Sequence, residues 1–149
     1  MIEGVNVKDL KVNYDDRGHL MEILRRDDKV FKTFGQVYIT TAKPGVTKAW
    51  HYHKLQDDFF CCVFGRMRLA LYDARKKSKT YGEIMDFKLG LNNPKLVKIP
   101  KGVYHGFKCI SRVSAIVVNV PTLPYNRKKP DEYRLDAFKN NIPYNWRKN

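Results

Sequence analysis

From residue 34 to residue 120 the chain is a succession of short runs rich in β-branched and aromatic residues, each closed by glycine or proline, and none has a helical period. Runs this short cannot satisfy their own backbone groups, so they must pair edge to edge. Gly35-Gln36-Val37-Tyr38-Ile39-Thr40-Thr41 reads as a strand broken by Lys43-Pro44-Gly45. Residues 58–64 are apolar on both faces, as expected of a strand buried on two sides, and Gly65 ends them. Residues 66–73 alternate, which places Met67, Leu69 and Leu71 on one face and Arg66 and Arg68 on the other. Shorter runs follow at 83–89, 96–99, 103–110 and 115–120, punctuated by Asn92-Asn93-Pro94 and Pro100-Lys101-Gly102. This spacing predicts an all-β sandwich or barrel. Upstream, Asp16-Arg17-Gly18 predicts a turn and the alternation through Leu24 a hairpin. Beyond residue 120, Pro121, Pro124, Pro130 and Pro143 predict an irregular tail with one short helical turn over residues 135–140.

Chemistry concentrates in one stretch, Lys48-Ala49-Trp50-His51-Tyr52-His53-Lys54-Leu55-Gln56-Asp57-Asp58. If it is extended, His51 and His53 point the same way, and Lys48 and Trp50 just before them are expected on opposite faces. A further histidine, His105, lies in Pro100-Lys101-Gly102-Val103-Tyr104-His105-Gly106-Phe107. A fold that joins the two places makes one pocket.

A chain of 149 residues, 43% of them hydrophobic, fits one domain with a sizeable core. Its net charge of +14 points to an anionic partner. The basic residues are scattered, the densest run, Arg75-Lys76-Lys77-Ser78-Lys79, reads as a solvated turn, and no nucleic-acid motif accompanies it. Cys61, Cys62 and Cys109 form neither a disulfide framework nor a metal-binding pair and read as core residues. The start is too short and polar for a signal peptide and no run is long enough to span a membrane, so a cytoplasmic protein is expected.

These residues resemble the cupin superfamily of jelly-roll barrels, whose first motif is Gly, five residues, His-x-His, three or four residues, an acid, six residues and Gly. Gly45, His51, His53, Asp58 and Gly65 meet that spacing, with Asp58 where glutamate is usual. The second motif, Pro-x-Gly-x-x-His, is met by Pro100, Gly102 and His105, with Cys109 at the place of its asparagine. Within the cupins the chain is similar to the dTDP-4-dehydrorhamnose 3,5-epimerase family. The likeness runs from about Asp16 to Asp136 and rests on Asp16-Arg17-Gly18 with Glu22, Gln36 before His51-Tyr52, Asp73-Ala74-Arg75, Ser78 to Gly82, and Ile99-Pro100 through Phe107.

The resemblance implies a single-domain cupin that epimerises or isomerises a 4-keto nucleotide sugar in polysaccharide biosynthesis, without a cofactor. It implies a homodimer in which an N-terminal strand carrying Arg17 and Glu22 reaches the neighbour's pocket, and no nucleic-acid or membrane partner. By the same resemblance His51 is the base, Asp136 orients it, and Tyr125 returns the proton, while Gln36, Lys48, His53 and His105 bind substrate. The chain departs from the family where Asp58 takes the place, on an ungapped count, of a lysine that stabilises the enolate, where Lys48 replaces an arginine, and where the segment from Tyr125 to Glu132 is longer by two residues. Taken alone, Tyr125 beside Pro124 reads as a packed loop aromatic and Gln36 as a group satisfying backbone.

Two competing readings stay open. His51, His53, Asp58 and His105 also suit a three-His, one-carboxylate site for iron, manganese or zinc, as in a metal-dependent dioxygenase or isomerase. A ring whose lone pair holds a metal cannot accept a proton, so the two readings exclude one another at His51. A catalytically silent sugar-binding cupin is the third.

Overall fold

The computed structural model describes residues 1–147. Its twelve strands are β1 (Asn6–Asp9), β2 (Val12–Asp15), β3 (Gly18–Met21), β4 (Tyr38–Ala42), β5 (Thr47–Tyr52), β6 (Asp58–Phe64), β7 (Arg66–Asp73), β8 (Ile84–Gly90), β9 (Lys95–Ile99), β10 (Val103–Cys109), β11 (Ala115–Asn119) and β12 (Tyr133–Arg134). All ladders are antiparallel. They make one five-stranded sheet in the order β1-β9-β6-β11-β4, a second in the order β12-β5-β10-β7-β8, and a separate β2-β3 hairpin. The architecture is jelly-roll-like. The two sheets retain free edge strands rather than closing into the expected barrel.

The main core lies where Phe60, Cys62, Met67, Leu69, Val103 and Phe107 interleave. Alternation in β6 sends Phe59 and Cys61 the other way, where they pack with Leu10 and Leu96 beneath Met21, Ile23, Leu24 and Val30. This explains the two-sided apolar run at 58–64: both faces are covered. Burial raises the Cys61 thiol pKa to about 12 and that of Cys62 to about 11, so both are inert core thiols.

The tail corrects two expectations. Residues 135–140 form no helix; instead Leu135 exchanges backbone hydrogen bonds with Trp50 (3.0 and 2.9 Å), continuing the β12–β5 ladder. Farther on, Ile142 and Trp146 cover Trp50 and Ala70 on the outer face of the second sheet. Arg68 shares that covered face, buried and 3.6 Å from Asp86, although alternation alone would have exposed it.

Asp73 closes the link from β7 to β8. Its carboxylate accepts from Arg75 N, Nε and Nη2 (3.0, 2.8 and 2.8 Å), from Ser78 Oγ (2.6 Å) and from Thr80 Oγ1 (2.6 Å). The basic run is therefore a turn wound on one acid. Burial would raise the Asp73 pKa, but these donors outweigh it and hold the carboxyl well below the usual range. Its contribution is fully present above the unfolded value near 3.8 and is lost as pH falls through the folded value. Asp73→Asn should cost about 1–3 kcal/mol in chemical denaturation at pH 7 and flatten the decline of stability below about pH 4. Unchanged midpoints at both pH values would contradict this role.

Candidate active site

His51 lies directly opposite His105 in the β5–β10 ladder, and their ring centroids are 4.0 Å apart. The register then slips, because Phe107 faces Lys48 rather than Ala49. This irregularity turns Lys48 to the side of His51 and Phe107, at the open end between the sheets, while Trp50 packs outward. Gly106 permits the close approach: a Cβ there would lie 2.2 Å from that of Ala49.

His53 follows β5 and Asp58 begins β6, and both point to the same centre. Asp58 Oδ2 lies 3.2 Å from His53 Nε2 and 3.3 Å from His105 Nε2. Its other oxygen accepts from Gln56 Nε2 (2.9 Å). The distal faces of the rings are tied to backbone, His53 Nδ1 to Asp131 O and His105 Nδ1 to Val103 O (3.1 Å). Among the described residues the His51 ring makes no hydrogen bond. The neighbouring acid Asp57 points elsewhere: it accepts from Lys101 N (3.0 Å) and lies 3.2 Å from Lys32 Nζ, a structural role.

These surroundings separate the titrations. Burial, with His105 alongside, drives the His51 pKa well below the usual imidazole value despite the opposing pull of Asp58. Burial also disfavours charge on His53, but Asp58 and the Asp131 carbonyl outweigh it and the net shift is upward. Burial would raise the Asp58 pKa, yet His105 and His53 hold it far below the carboxylate range.

The cluster opens into a cleft of about 1150 Å³, whose walls include Gln36, Tyr38, Lys54, Tyr125, Glu132 and Tyr133. A smaller recess of about 370 Å³ on the other side of His51 is lined by Lys48, Thr40, Phe107 and Arg134. His51, Tyr38 and Glu132 border both.

A sequence model of dTDP-4-dehydrorhamnose 3,5-epimerase matches residues 1–148. The spore coat polysaccharide biosynthesis protein SpsL of Bacillus subtilis is 40% identical over 146 residues, covering 98% of this chain and 97% of the relative. The probable low-salt glycan biosynthesis epimerase Agl13 of Haloferax volcanii is 40% identical over 90% of this chain and 87% of its own length. The crystal structure of a dTDP sugar isomerase from Desulfovibrio desulfuricans G20 superposes with a TM-score of 0.92 at 30% identity, covering 97% of this chain and 92% of that one. The chain belongs to the dTDP-4-dehydrorhamnose 3,5-epimerase family. It is an enzyme, an epimerase or isomerase of nucleotide sugars, as the resemblance implied.

Within this family member the expected site residues are dispersed unevenly. His51, His53 and His105 converge with Asp58. Gln36 and Tyr125 meet on one cleft wall, where Gln36 Oε1 accepts from the Tyr125 backbone N–H (3.2 Å). Lys48 Nζ donates to Thr40 Oγ1 (2.6 Å) at the rim of the recess. Asp136 does not join them. Its exposed carboxylate accepts from the backbone of Phe138 and Lys139 (both 2.8 Å), and it lines neither cavity; the acid beside His51 is Asp58. Arg17 and Glu22 stand at the β2-β3 hairpin and just after it, paired with Asp15 and Arg25 and away from both cavities.

Sequence reasoning missed Tyr38, Asp131, Glu132 and Arg134. Burial of its hydroxyl end, with Asp58 nearby, pushes the Tyr38 phenol up to about 12, and its oxygen accepts from Asn119 Nδ2 (2.9 Å). Its alternation within a strand was visible, but which face looked inward was not. Asp131 gathers the loop after β5, its carboxylate accepting from Lys54 N (2.9 Å) and Leu55 N (2.8 Å) while its carbonyl meets His53. Asp131→Ala should therefore speed amide exchange at Lys54 and Leu55 by roughly ten- to hundredfold, the equivalent of about 1–3 kcal/mol. Hydrogen exchange with site resolution tests this; protection equal to that of the parent protein would show that the carboxylate does not hold the loop.

Proposed function

We propose that the chain inverts carbon beside the C4 ketone of a nucleotide-linked sugar, with His51 as base and Tyr125 as acid, and that the sugar lies in the cleft bordered by both. The observation that carries this reading is the position of His51: a neutral imidazole at the junction of the large cleft and the recess, with no side-chain hydrogen bond to occupy its lone pair. A ketone acidifies its neighbouring C–H bonds, so no redox cofactor is needed. His51 takes the proton, the bonding pair moves toward the carbonyl oxygen to form an enolate, and Tyr125 protonates the carbon from the opposite face. The tyrosinate and imidazolium then return to their starting states through solvent.

Gln36, Lys48, His53 and His105 surround the substrate in this reading, with Lys48 and Arg134 supplying positive charge at the recess. The net charge of +14 favours arrival of a nucleotide diphosphate. The reading extends to one cupin domain acting as a cytoplasmic homodimer, without nucleic-acid or membrane partners. No helix among the described residues is long and apolar enough to cross a membrane. Exposed Tyr14 and Leu20 on the hairpin, and Val37 and Ile39 by the free edge β4, offer apolar surface for a second copy. Arg17 and Glu22 would then serve the neighbour's cleft.

Incubation of the enzyme with a dTDP-linked 4-keto-6-deoxy sugar in D2O, followed by NMR, tests the assignment. His51→Asn should slow deuterium incorporation beside the ketone by about 10²- to 10⁴-fold while preserving the fold. Tyr125→Phe should retain exchange but lose most inversion, because deuterium then returns from the face that His51 serves. Full exchange in folded His51→Asn would reject His51 as the base, and loss of inversion in Tyr38→Phe rather than Tyr125→Phe would transfer the acid to Tyr38.

A further inference from the structure

Proton removal beside a ketone puts negative charge on the carbonyl oxygen, and a fixed donor must meet it. The buried cluster has none to spare. His53 turns Nδ1 to Asp131 O and Nε2 to Asp58 Oδ2 (3.2 Å), and His105 turns Nδ1 to Val103 O (3.1 Å) and Nε2 to the same carboxylate oxygen (3.3 Å). Both nitrogens of each ring are thus committed within the protein, and their charge answers Asp58 rather than a new anion. Lys48 is engaged as well, because its Nζ donates to Thr40 Oγ1 (2.6 Å) and Thr41 O (3.3 Å).

The edge strand β12 brings another cation to the base. Leu135 exchanges both backbone bonds with Trp50, so the next pair in the ladder, Arg134 opposite His51, is of the non-hydrogen-bonded kind. In such a pair the Cα atoms are about 4.5 Å apart and the side chains approach one another on one face. The adjoining pair confirms the register: Tyr52 and Tyr133 stack on the opposite face, with ring centroids 5.1 Å apart. His51 therefore has His105 on one side and Arg134 on the other, and His51 and Arg134 both border the recess of about 370 Å³. The charge of Arg134 reaches the ring, where it adds to the influences that keep His51 neutral.

Glu132, on the same face two residues earlier, aims the guanidinium. Its Oε1 accepts from Arg134 Nε (3.1 Å) and Nη2 (2.9 Å). Among the described residues Nη1 has no hydrogen-bond partner, and the Arg134 side chain is 74% exposed, so its outer edge is open to a ligand in the recess.

We propose that Arg134 is a catalytic residue whose Nη1 edge donates to the C4 oxygen of the substrate as the enolate forms beside His51. This rests on the epimerase reading above. The acidic C–H and the carbonyl belong to adjoining carbons, so base and donor must stand side by side, as paired residues of β5 and β12 do. A planar fork gripped along one edge presents the other in a fixed direction. The electron pair left by the proton moves onto the oxygen, and Arg134 keeps its own protons throughout.

Steady-state kinetics with deuterium incorporation from D2O into a dTDP-linked 4-keto-6-deoxy sugar test the assignment. Arg134→Ala should lower the exchange rate at saturating substrate by about 10²- to 10³-fold, the usual loss of one oxyanion donor, with KM changed by less than about threefold. Arg134→Lys, which keeps the charge without the fork, should lose only about tenfold, and it keeps the test readable should truncation disturb β12. Millimolar guanidinium should restore exchange in Arg134→Ala and leave His51→Asn as slow as before. Lys48→Gln should raise KM instead.

Undiminished exchange in Arg134→Ala would overturn the proposal while sparing the epimerase reading. A raised KM with an unchanged saturating rate would also overturn it, making Arg134 a clamp for the diphosphate, and so would a loss that neither Arg134→Lys nor guanidinium relieves, making it a structural group. A fall in saturating rate confined to Lys48→Gln would transfer the role to Lys48. A parent protein that exchanges no deuterium would remove the epimerase reading itself, and the proposal with it.

Discussion

The pairing of β5 with β10 decides what the space between the sheets can do. Direct opposition of His51 and His105 brings two rings together from positions 54 residues apart, and the slip that follows turns Lys48 inward and Trp50 outward. A regular ladder would have put Lys48 and Trp50 on one face, since side chains two apart share a side, so the opposite faces expected of them come from the slip and not from plain extension. The interior would then have received either both residues or neither. Gly106 allows the strands to approach at that point, and the tail packs Ile142 and Trp146 on the displaced Trp50. Site and outer layer are thus two consequences of one irregularity.

Alternation made much of the sandwich readable, because strands buried on one face must repeat every second residue. Met67, Leu69 and Leu71 do face the core as a set. Arg68 shows where that logic stops: its face is solvent-like in the local pattern but is covered by a segment more than 70 residues later. The same limit hid β12, since two residues, Tyr133 and Arg134, are too few to show an alternation and are recruited by the edge of β5. The histidines were legible because metal and acid–base chemistry use few residue types at short spacing. Asp131 and Tyr38 were not, because a carboxylate that caps backbone and a phenol on a strand resemble ordinary surface residues until the loops close.

Two adjacent acids divide the work of the site according to strand parity. Asp57 takes the Lys101 amide in the turn before β10 together with the ammonium groups of Lys32 and Lys98, and Asp58, one residue on, enters the interior. Either alone in the sequence would have been ambiguous. Backbone direction assigns them, and a one-residue shift of β6 would exchange the acid that pins the turn for the one that enters the interior.

The interior position of Asp58 also sets the charge that the chemistry must satisfy. Two negative charges about 4 Å apart repel by about 4 kcal/mol at an effective dielectric near 20. Left uncompensated beside a developing enolate, that would slow proton removal by about a thousandfold. The nearest groups that can carry compensating positive charge are the imidazoles of His53 and His105, each within 3.3 Å of Asp58 Oδ2. Lys48 is directed to Thr40 and Thr41 at the rim of the recess and not to the buried carboxylate. A carboxylate at this depth is therefore compatible with an enolate only if the local charge is restored by what the acid itself collects. The convergence of two backbone-anchored imidazoles on one carboxylate oxygen supplies the means for that restoration.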